Sequence, residues 1–238
     1  MKTVHQPIIK LDAKALVTGK PVYTEDLAPS DCLVVKLLRS PHAYAKILEI
    51  KKDIALKVPG IECILTYEDV PQQRFTMAGQ SYPEPSPYDR LILDKYVRYV
   101  GDPVAIVAGE NEKAVDRALK LIKVQYEILE PVLDFEQAID HPSCIHPEED
   151  YHVNFDIGNE VKRNICCKEG FEAGDINKAF SESDVVLERT YHTKANNQAM
   201  METFKTYTYL DYNGRLNIVT ATQIPFHVRR ILARALDM

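Results

Sequence analysis

Apolar and polar positions alternate along this chain in two periods, which separate strands from helices. Leu33-Val34-Val35-Lys36-Leu37-Leu38 is a short apolar run, the pattern of a buried strand. Ser40-Pro41-His42 breaks it, and Ala45-Lys46-Ile47-Leu48-Glu49-Ile50 resumes with partial alternation. A third strand, Ile61–Leu65, follows the Pro59-Gly60 turn. Residues 72–90 carry Pro83, Pro85 and Pro87, each lacking a backbone donor and restricting its predecessor, so a surface loop is expected there. Pro103–Ala108 reads as a strand ended by Gly109, and Asn111 is placed to N-cap a helix running to about Lys123. Val115, Ala118, Leu119 and Ile122 share one face of that helix. Val124-Gln125-Tyr126 then returns as a strand, completing a unit expected to pack as an α/β layer.

From His141 to Asn164 the pattern turns polar, with Pro142, Pro147 and the acidic Glu148-Glu149-Asp150, and a linker is expected. A short helix over Asp175–Phe180 and strands over Val185–Tyr191, Phe204–Leu210 and Leu216–Ala221 follow. The last two strands flank Asp211-Tyr212-Asn213-Gly214, whose Asn-Gly pair signals a hairpin. Pro225 opens a final helix with Val228, Ile231, Leu232, Ala235 and Leu236 on one side, and proline suits a first helical position because that N–H has no helical partner. The helix reaches Met238 with no glycine cap, so the chain is expected to stop inside a domain.

Composition narrows the function classes. Hydrophobic residues make up 45% of the 238, enough for a real core. No apolar run reaches the roughly 18–20 residues of a membrane span, and the opening Met1–Pro7 has no apolar signal core, so the cytoplasm is the expected setting. A net charge of −6 with scattered Lys and Arg argues against nucleic acid as a partner. The five cysteines form no CxxC pair, and the seven histidines show no HxH or HExxH spacing, so no metal site is read from them. Cys166 and Cys167 are adjacent, which in a strand turns their side chains to opposite faces and makes a poor chelate. No GxGxxG or GxxxxGK[ST] loop is present, which excludes a nucleotide fold on sequence grounds.

Five segments carry a family resemblance. Gly19-Lys20-Pro21-Val22-Tyr23-Thr24-Glu25-Asp26 is similar to the opening of the large subunit of molybdenum hydroxylases, the xanthine dehydrogenase/aldehyde oxidase family. Arg39-Ser40-Pro41-His42-Ala43-Tyr44-Ala45-Lys46-Ile47 resembles its RSPHAxAxI motif, and Arg98–Ala105 resembles its YVGxPVA motif. Met200-Met201-Glu202-Thr203 resembles its MEP segment, and Ala221–Phe226 its STQxP segment. The resemblance implies an α+β fold: an α/β-hammerhead domain over 1–140, a linker over 141–164, and the first strands and helix of a molybdenum cofactor-binding domain over 165–238, incomplete. It implies hydroxylation of a heterocycle or aldehyde carbon with water as oxygen source, a molybdenum–molybdopterin cofactor, and electrons leaving through [2Fe–2S] centres to FAD on partner subunits or domains. The family's glycine-rich cofactor loops and general-base glutamate are not among these residues, so no catalytic residue is assigned and the chain alone is expected to be inactive.

One position is assigned to the cofactor. The resemblance implies that Gln223 hydrogen-bonds it near an oxygen ligand, a task for which a neutral amide is suited because it donates without adding a full charge. His42, which has no nucleophile or metal partner in sequence, is read as part of a structural turn, Gly101-Asp102-Pro103 as a turn into a strand, and Glu202 as structural because one carboxylate is not an acid/base pair. Two functional classes stand: a piece of a catalytic subunit completed by the rest of the molybdenum subunit, or a non-catalytic remnant kept as a structural or assembly module.

Overall fold

The computed structural model describes residues 4–20, 23–77 and 81–238. Met1 to Thr3, Pro21 and Val22 of the opening motif, and Gly79 of the proline-rich segment lie outside the described residues. In chain order the elements are α1 (Ala13–Val17), α2 (Thr24–Leu27), β1 (Val34–Arg39), β2 (Ala45–Lys51), α3 (Asp53–Leu56), β3 (Ile61–Leu65), β4 (Tyr96–Val97), β5 (Pro103–Gly109), α4 (Glu112–Leu121), β6 (Lys123–Ile128), α5 (Ile176–Glu182), β7 (Thr206–Leu210), β8 (Leu216–Thr220) and α6 (Pro225–Ala235).

Strands β1, β5 and β3 form one antiparallel sheet with β5 in the middle, and β4, β2 and β6 form a second. The strand–helix–strand run β5–α4–β6 is therefore not one parallel layer: its two strands belong to different sheets. Alternation along β5 supplies both cores. Ala105 and Val107 face the apolar side of α4, where Ala114, Val115, Ala118 and Ile122 are buried with Ala55, Val58 and Ile64. Val104, on the opposite face, packs with Ala45, Ile47 and Val97 of the second sheet. Leu38, Ile50 and Val124 touch both clusters, which welds the two sheets together.

Local chemistry fixes the ends of these elements. The Asn111 side chain accepts a hydrogen bond from the Ala114 N–H at 3.0 Å, capping α4 as its position requires. At Gly109 a Cβ would stand 2.6 Å from the Gly60 carbonyl oxygen, so the end of β5 can meet the Gly60 turn only as glycine. Lys36 of β1 reaches Glu112 and Asp116 of α4 at 2.6 and 2.7 Å, across the sheet–helix seam.

Two expectations need correction. Residues 72–90 are irregular, yet Arg74, Phe75, Thr76, Glu84 and Tyr88 are buried. Proline removes backbone donors but does not prevent burial when side chains and short bridges, here Phe75 to Arg90 and Tyr88 to His152, satisfy the rest. Val185–Tyr191 is not a strand, and its side chains are exposed. Its β-favouring residues describe a preference for a pleated surface, but no described strand lies beside them to complete a ladder.

The exposure of that stretch generates a test. Every residue from 166 to 201 is exposed, and residues 184–199 carry no regular element. Backbone with few buried contacts opens at little cost. Limited trypsin digestion should cut first at Arg189 and Lys194, before the proline-rich 72–90 segment or residues 141–164. Earlier cleavage at Arg74 or Arg163 would contradict this ordering.

Candidate functional site

The hairpin β7–β8 is set by its turn. Asp211 Oδ1 accepts from the backbone N–H groups of Asn213 (2.8 Å) and Arg215 (3.0 Å), and these bonds hold its carboxyl below the usual range. Gly214 takes a positive φ of 74°, which closes the hairpin. Beyond β8 the chain turns at Thr222, whose Oγ1 accepts from the Ile224 N–H at 3.1 Å, and Pro225 starts α6. Gln223 lies in this turn, exposed, and among the described residues its amide has no hydrogen-bond partner. An uncommitted neutral amide can donate to an oxygen acceptor, so it fits the role assigned to it toward a molybdenum cofactor.

Helix α6 divides its neighbours by chemistry. Val228, Leu232 and Leu236 face Leu216 and Ile218 of β8 across an open groove of about 590 Å³. The other side of α6 meets the proline-rich segment through polar groups. Arg230 Nε donates to Glu84 Oε1 at 2.9 Å, and buried His227 Nδ1 lies 3.5 Å from the same oxygen. Burial pushes the Glu84 carboxyl upward and is the largest single influence, but Arg230, the Glu84 backbone N–H and His227 together outweigh it and the net shift is downward. Arg234 Nε donates to the Arg74 carbonyl at 2.8 Å, and its guanidinium stacks over the Tyr88 ring. The apolar stripe predicted for α6 is thus real but only partly covered, and the helix is held to the rest of the chain mainly by its charged side.

Arg74 leads into a second buried cluster. Arg98 Nη1 donates to Asp94 at 2.8 Å and Nη2 to Glu148 at 2.9 Å. Arg74 Nη1 lies 3.4 Å from Glu148 Oε1. Its Nε is 2.8 Å from Asp150, an ionic contact whose angle is not that of a hydrogen bond. His146 Nδ1 lies 2.7 Å from Glu148 Oε1. Burial raises the Glu148 pKa and is the largest single influence, but His146 and Arg98 prevail and hold it at about 2. Sequence reasoning missed this cluster, because Glu148 sits 50 residues from Arg98 and no periodicity pairs them.

The remaining candidates are tied into contacts between segments. The Ser40 Oγ and His42 backbone bond each other, and the His42 ring meets Tyr126 edge-on at 4.7 Å. Asp102 Oδ2 accepts from the Arg98 N–H, its carbonyl accepts from the Ser40 N–H, and Gly101 N–H donates to the Ser40 carbonyl. The RSPHA and YVGxP segments therefore lock to each other. Glu202 Oε1 accepts from the Thr24 N–H at 3.3 Å, and Lys205 pairs with Glu25, so the MEP-like segment docks on α2.

The family model described as "aldehyde oxidase and xanthine dehydrogenase, a/b hammerhead domain" matches residues 18–130, and that described as "molybdopterin cofactor-binding domain" matches residues 157–238. The chain belongs to the molybdenum hydroxylase family. It is 38% identical to the probable hypoxanthine oxidase XdhD of Escherichia coli O157:H7 over 98% of its own length, and 30% identical to the xanthine dehydrogenase molybdenum-binding subunit of the same organism over 97%. It spans 27% and 29% of those two relatives. In fold it matches the aldehyde oxidoreductase of Desulfovibrio desulfuricans ATCC 27774 with a TM-score of 0.78 at 24% identity, covering 97% of this chain and 25% of that one. The hammerhead fold followed by cofactor-binding-domain elements is the arrangement expected from the sequence. No helix among the described residues is long and apolar enough to cross a membrane.

The Glu148 cluster gives a pH prediction. A carboxyl whose folded pKa lies below its ordinary 4.5 contributes stability above that value and loses it as pH falls toward about 2. Urea unfolding should show stability dropping across this window in the wild type and dropping less in Glu148→Gln. Glu148→Ala should cost about 3 kcal/mol at neutral pH, because it leaves Arg98 buried without one partner. An unchanged unfolding midpoint would refute the hub.

Proposed function

We propose that this chain supplies the scaffold and one edge of the cofactor site of a molybdenum hydroxylase. Residues 1–140 form the hammerhead domain, 141–164 the linker, and 165–238 the first part of the molybdopterin-binding domain. The enzyme hydroxylates an electron-poor carbon of a small heterocycle or aldehyde with oxygen from water. The bound molybdenum cofactor supplies the oxygen-transfer and electron-accepting chemistry, and iron–sulfur and FAD partners carry the electrons away. The observation that carries this reading is the run of two family matches, in order, along a chain whose assigned amide, Gln223, is exposed and uncommitted. Five cysteines without disulfides fit a cytoplasmic setting.

The chain's own residues have a limited part in that chemistry. Gln223 donates one hydrogen bond toward an oxygen ligand of the cofactor and so orients it. Thr222 and Pro225 fix the turn that presents Gln223, while Glu84 and Arg230 hold α6 behind it. The Val228–Leu232–Leu236 stripe receives the remainder of the molybdenum subunit.

The chain alone should bind no molybdenum by elemental analysis and oxidise neither hypoxanthine nor an aldehyde, because the general-base glutamate that the family resemblance implies is not among these residues. Supplied with the remainder of the subunit, it should assemble. Leu232→Asp should weaken that assembly. Gln223→Ala should leave it intact and lower turnover about ten- to hundredfold. Stoichiometric molybdenum with turnover in the chain alone, or full activity in Gln223→Ala, would sink the proposal.

A further inference from the structure

The sequence places Cys166 beside Cys167 and, on strand geometry, points them apart. The structure does the opposite: both thiols are exposed, and their sulfur atoms stand 4.0 Å apart. The segment is not a strand at this point, so the alternation rule does not apply. It is tethered on both sides instead. Glu160 and Ile165 exchange backbone hydrogen bonds at 2.9 and 3.1 Å, the Lys168 N–H donates to the Ile157 carbonyl at 2.8 Å, and the Lys168 ammonium pairs with Glu160. The two thiols are thus carried on a closed loop of chain rather than on a free end.

Their spacing suits a bridging atom better than a direct bond. Adjacent Cα atoms across a trans peptide are about 3.8 Å apart. Ordinary disulfides span roughly 4.4–6.8 Å between Cα atoms, so a disulfide here would be strained and readily reduced. Two thiolates bound to one soft centre at about 2.3 Å stand roughly 3.3–3.8 Å from each other, the lower value for a pyramidal centre and the upper for a tetrahedral one, so the separation seen needs only a small turn of the exposed side chains. No third His, Cys, Asp or Glu completes a metal cluster among the described residues. The pair therefore suits a centre that is satisfied by two protein thiolates and brings its own remaining substituent.

A place for that substituent lies beside Cys166. Cys166 forms part of the wall of a cavity of about 330 Å³ with Leu133, Phe135, Ile145, Tyr151 and Ile165. Leu133 and Phe135 are more than four-fifths exposed, so an apolar group entering there would cover surface now in water.

We propose that Cys166 and Cys167 form a dithiol site that takes one soft, thiophilic centre carrying an apolar group, with the group seated against Leu133, Phe135 and Tyr151. A trivalent organoarsenical has this chemistry. Capture of phenylarsine oxide forms two As–S bonds and breaks the As–O bonds, and the two thiol protons leave with the oxygen as water. Arsenic stays trivalent, so no oxidant or reductant takes part. The site is separate from Gln223 and does not depend on the function proposed above.

The test uses the purified, reduced chain. One equivalent of phenylarsine oxide should remove two reactive thiols in a thiol count, resist an excess of monothiol, and be displaced by a small dithiol. Peptide mass mapping should place the arsenic on the segment containing Cys166 and Cys167. Cys166→Ser and Cys167→Ser should each weaken binding about a hundredfold or more, because the second bond then loses its high effective concentration. Both residues are exposed, so these variants should fold. Leu133→Asp should weaken phenylarsine oxide binding about tenfold while leaving the stoichiometry of two thiols unchanged. Equal affinity in either serine variant, or arsenic mapped to Cys32, Cys63 or Cys144, would overturn the dithiol site. Unaltered affinity in Leu133→Asp would overturn the role of the cavity.

Discussion

The arrangement of this chain depends on the buried pairing of Arg74 and Arg98 with Asp94 and Glu148. The four side chains come from three places: Arg74 from the proline-rich segment, Asp94 and Arg98 from around β4, and Glu148 from the polar stretch after β6. Each is at most 15% exposed, so none can exchange its partners for water cheaply. A buried ion network of this kind adds little stability over an apolar core of the same shape. It does make the position of each segment conditional on the others, because withdrawing one charge strands its partners. Two stretches without regular secondary structure are thereby tied to each other and to β4, and α6 joins them through the bond from Arg234 to the Arg74 carbonyl.

The apolar core works differently and more locally. β5 feeds one cluster from each face, and Leu38, Ile50 and Val124 join the two. Within this part the motifs that carry the family resemblance serve as joints. Ser40, Gly101 and Asp102 exchange backbone hydrogen bonds where β1 leaves its sheet and β5 enters it. Asp102 is buried there, and its pKa is raised, by burial above all and against the Arg98 N–H that it accepts. A motif of this kind works through geometry, since its backbone bonds fix where the two strands meet.

The sequence was legible where short-range rules apply. The α4 cap at Asn111, the Asn-Gly hairpin, the Pro225 start of α6 and the strands β1, β2, β3, β5 and β8 all follow from residues within a few positions of one another. It was illegible where the partner is remote. Val185–Tyr191 has a strand's composition, but a strand exists only beside another. The proline count of residues 72–90 announced an irregular backbone and gave no sign that Glu84 would meet Arg230 across 146 positions. The Cys166–Cys167 spacing was misread for a related reason: alternation belongs to extended strands, and the tethers at Ile157 and Glu160 that curve the chain here are set by hydrogen bonds.

Helix α6 draws these points together. A helix packed on its own domain normally turns its apolar stripe inward and its charges outward. Here the inward side holds His227, Arg230 and Arg234, while Val228, Leu232 and Leu236 line an open groove beside β8. Polar contacts fix direction better than apolar ones, since a hydrogen bond weakens steeply as its angle closes and a packed methyl has no such angular demand. The charged side therefore sets where the helix points, and with it the turn holding Gln223. The apolar side remains free to supply the larger, less directional part of an association. Orientation and adhesion thus reside on opposite faces of one helix, which allows the Gln223 turn to be placed before the groove is filled.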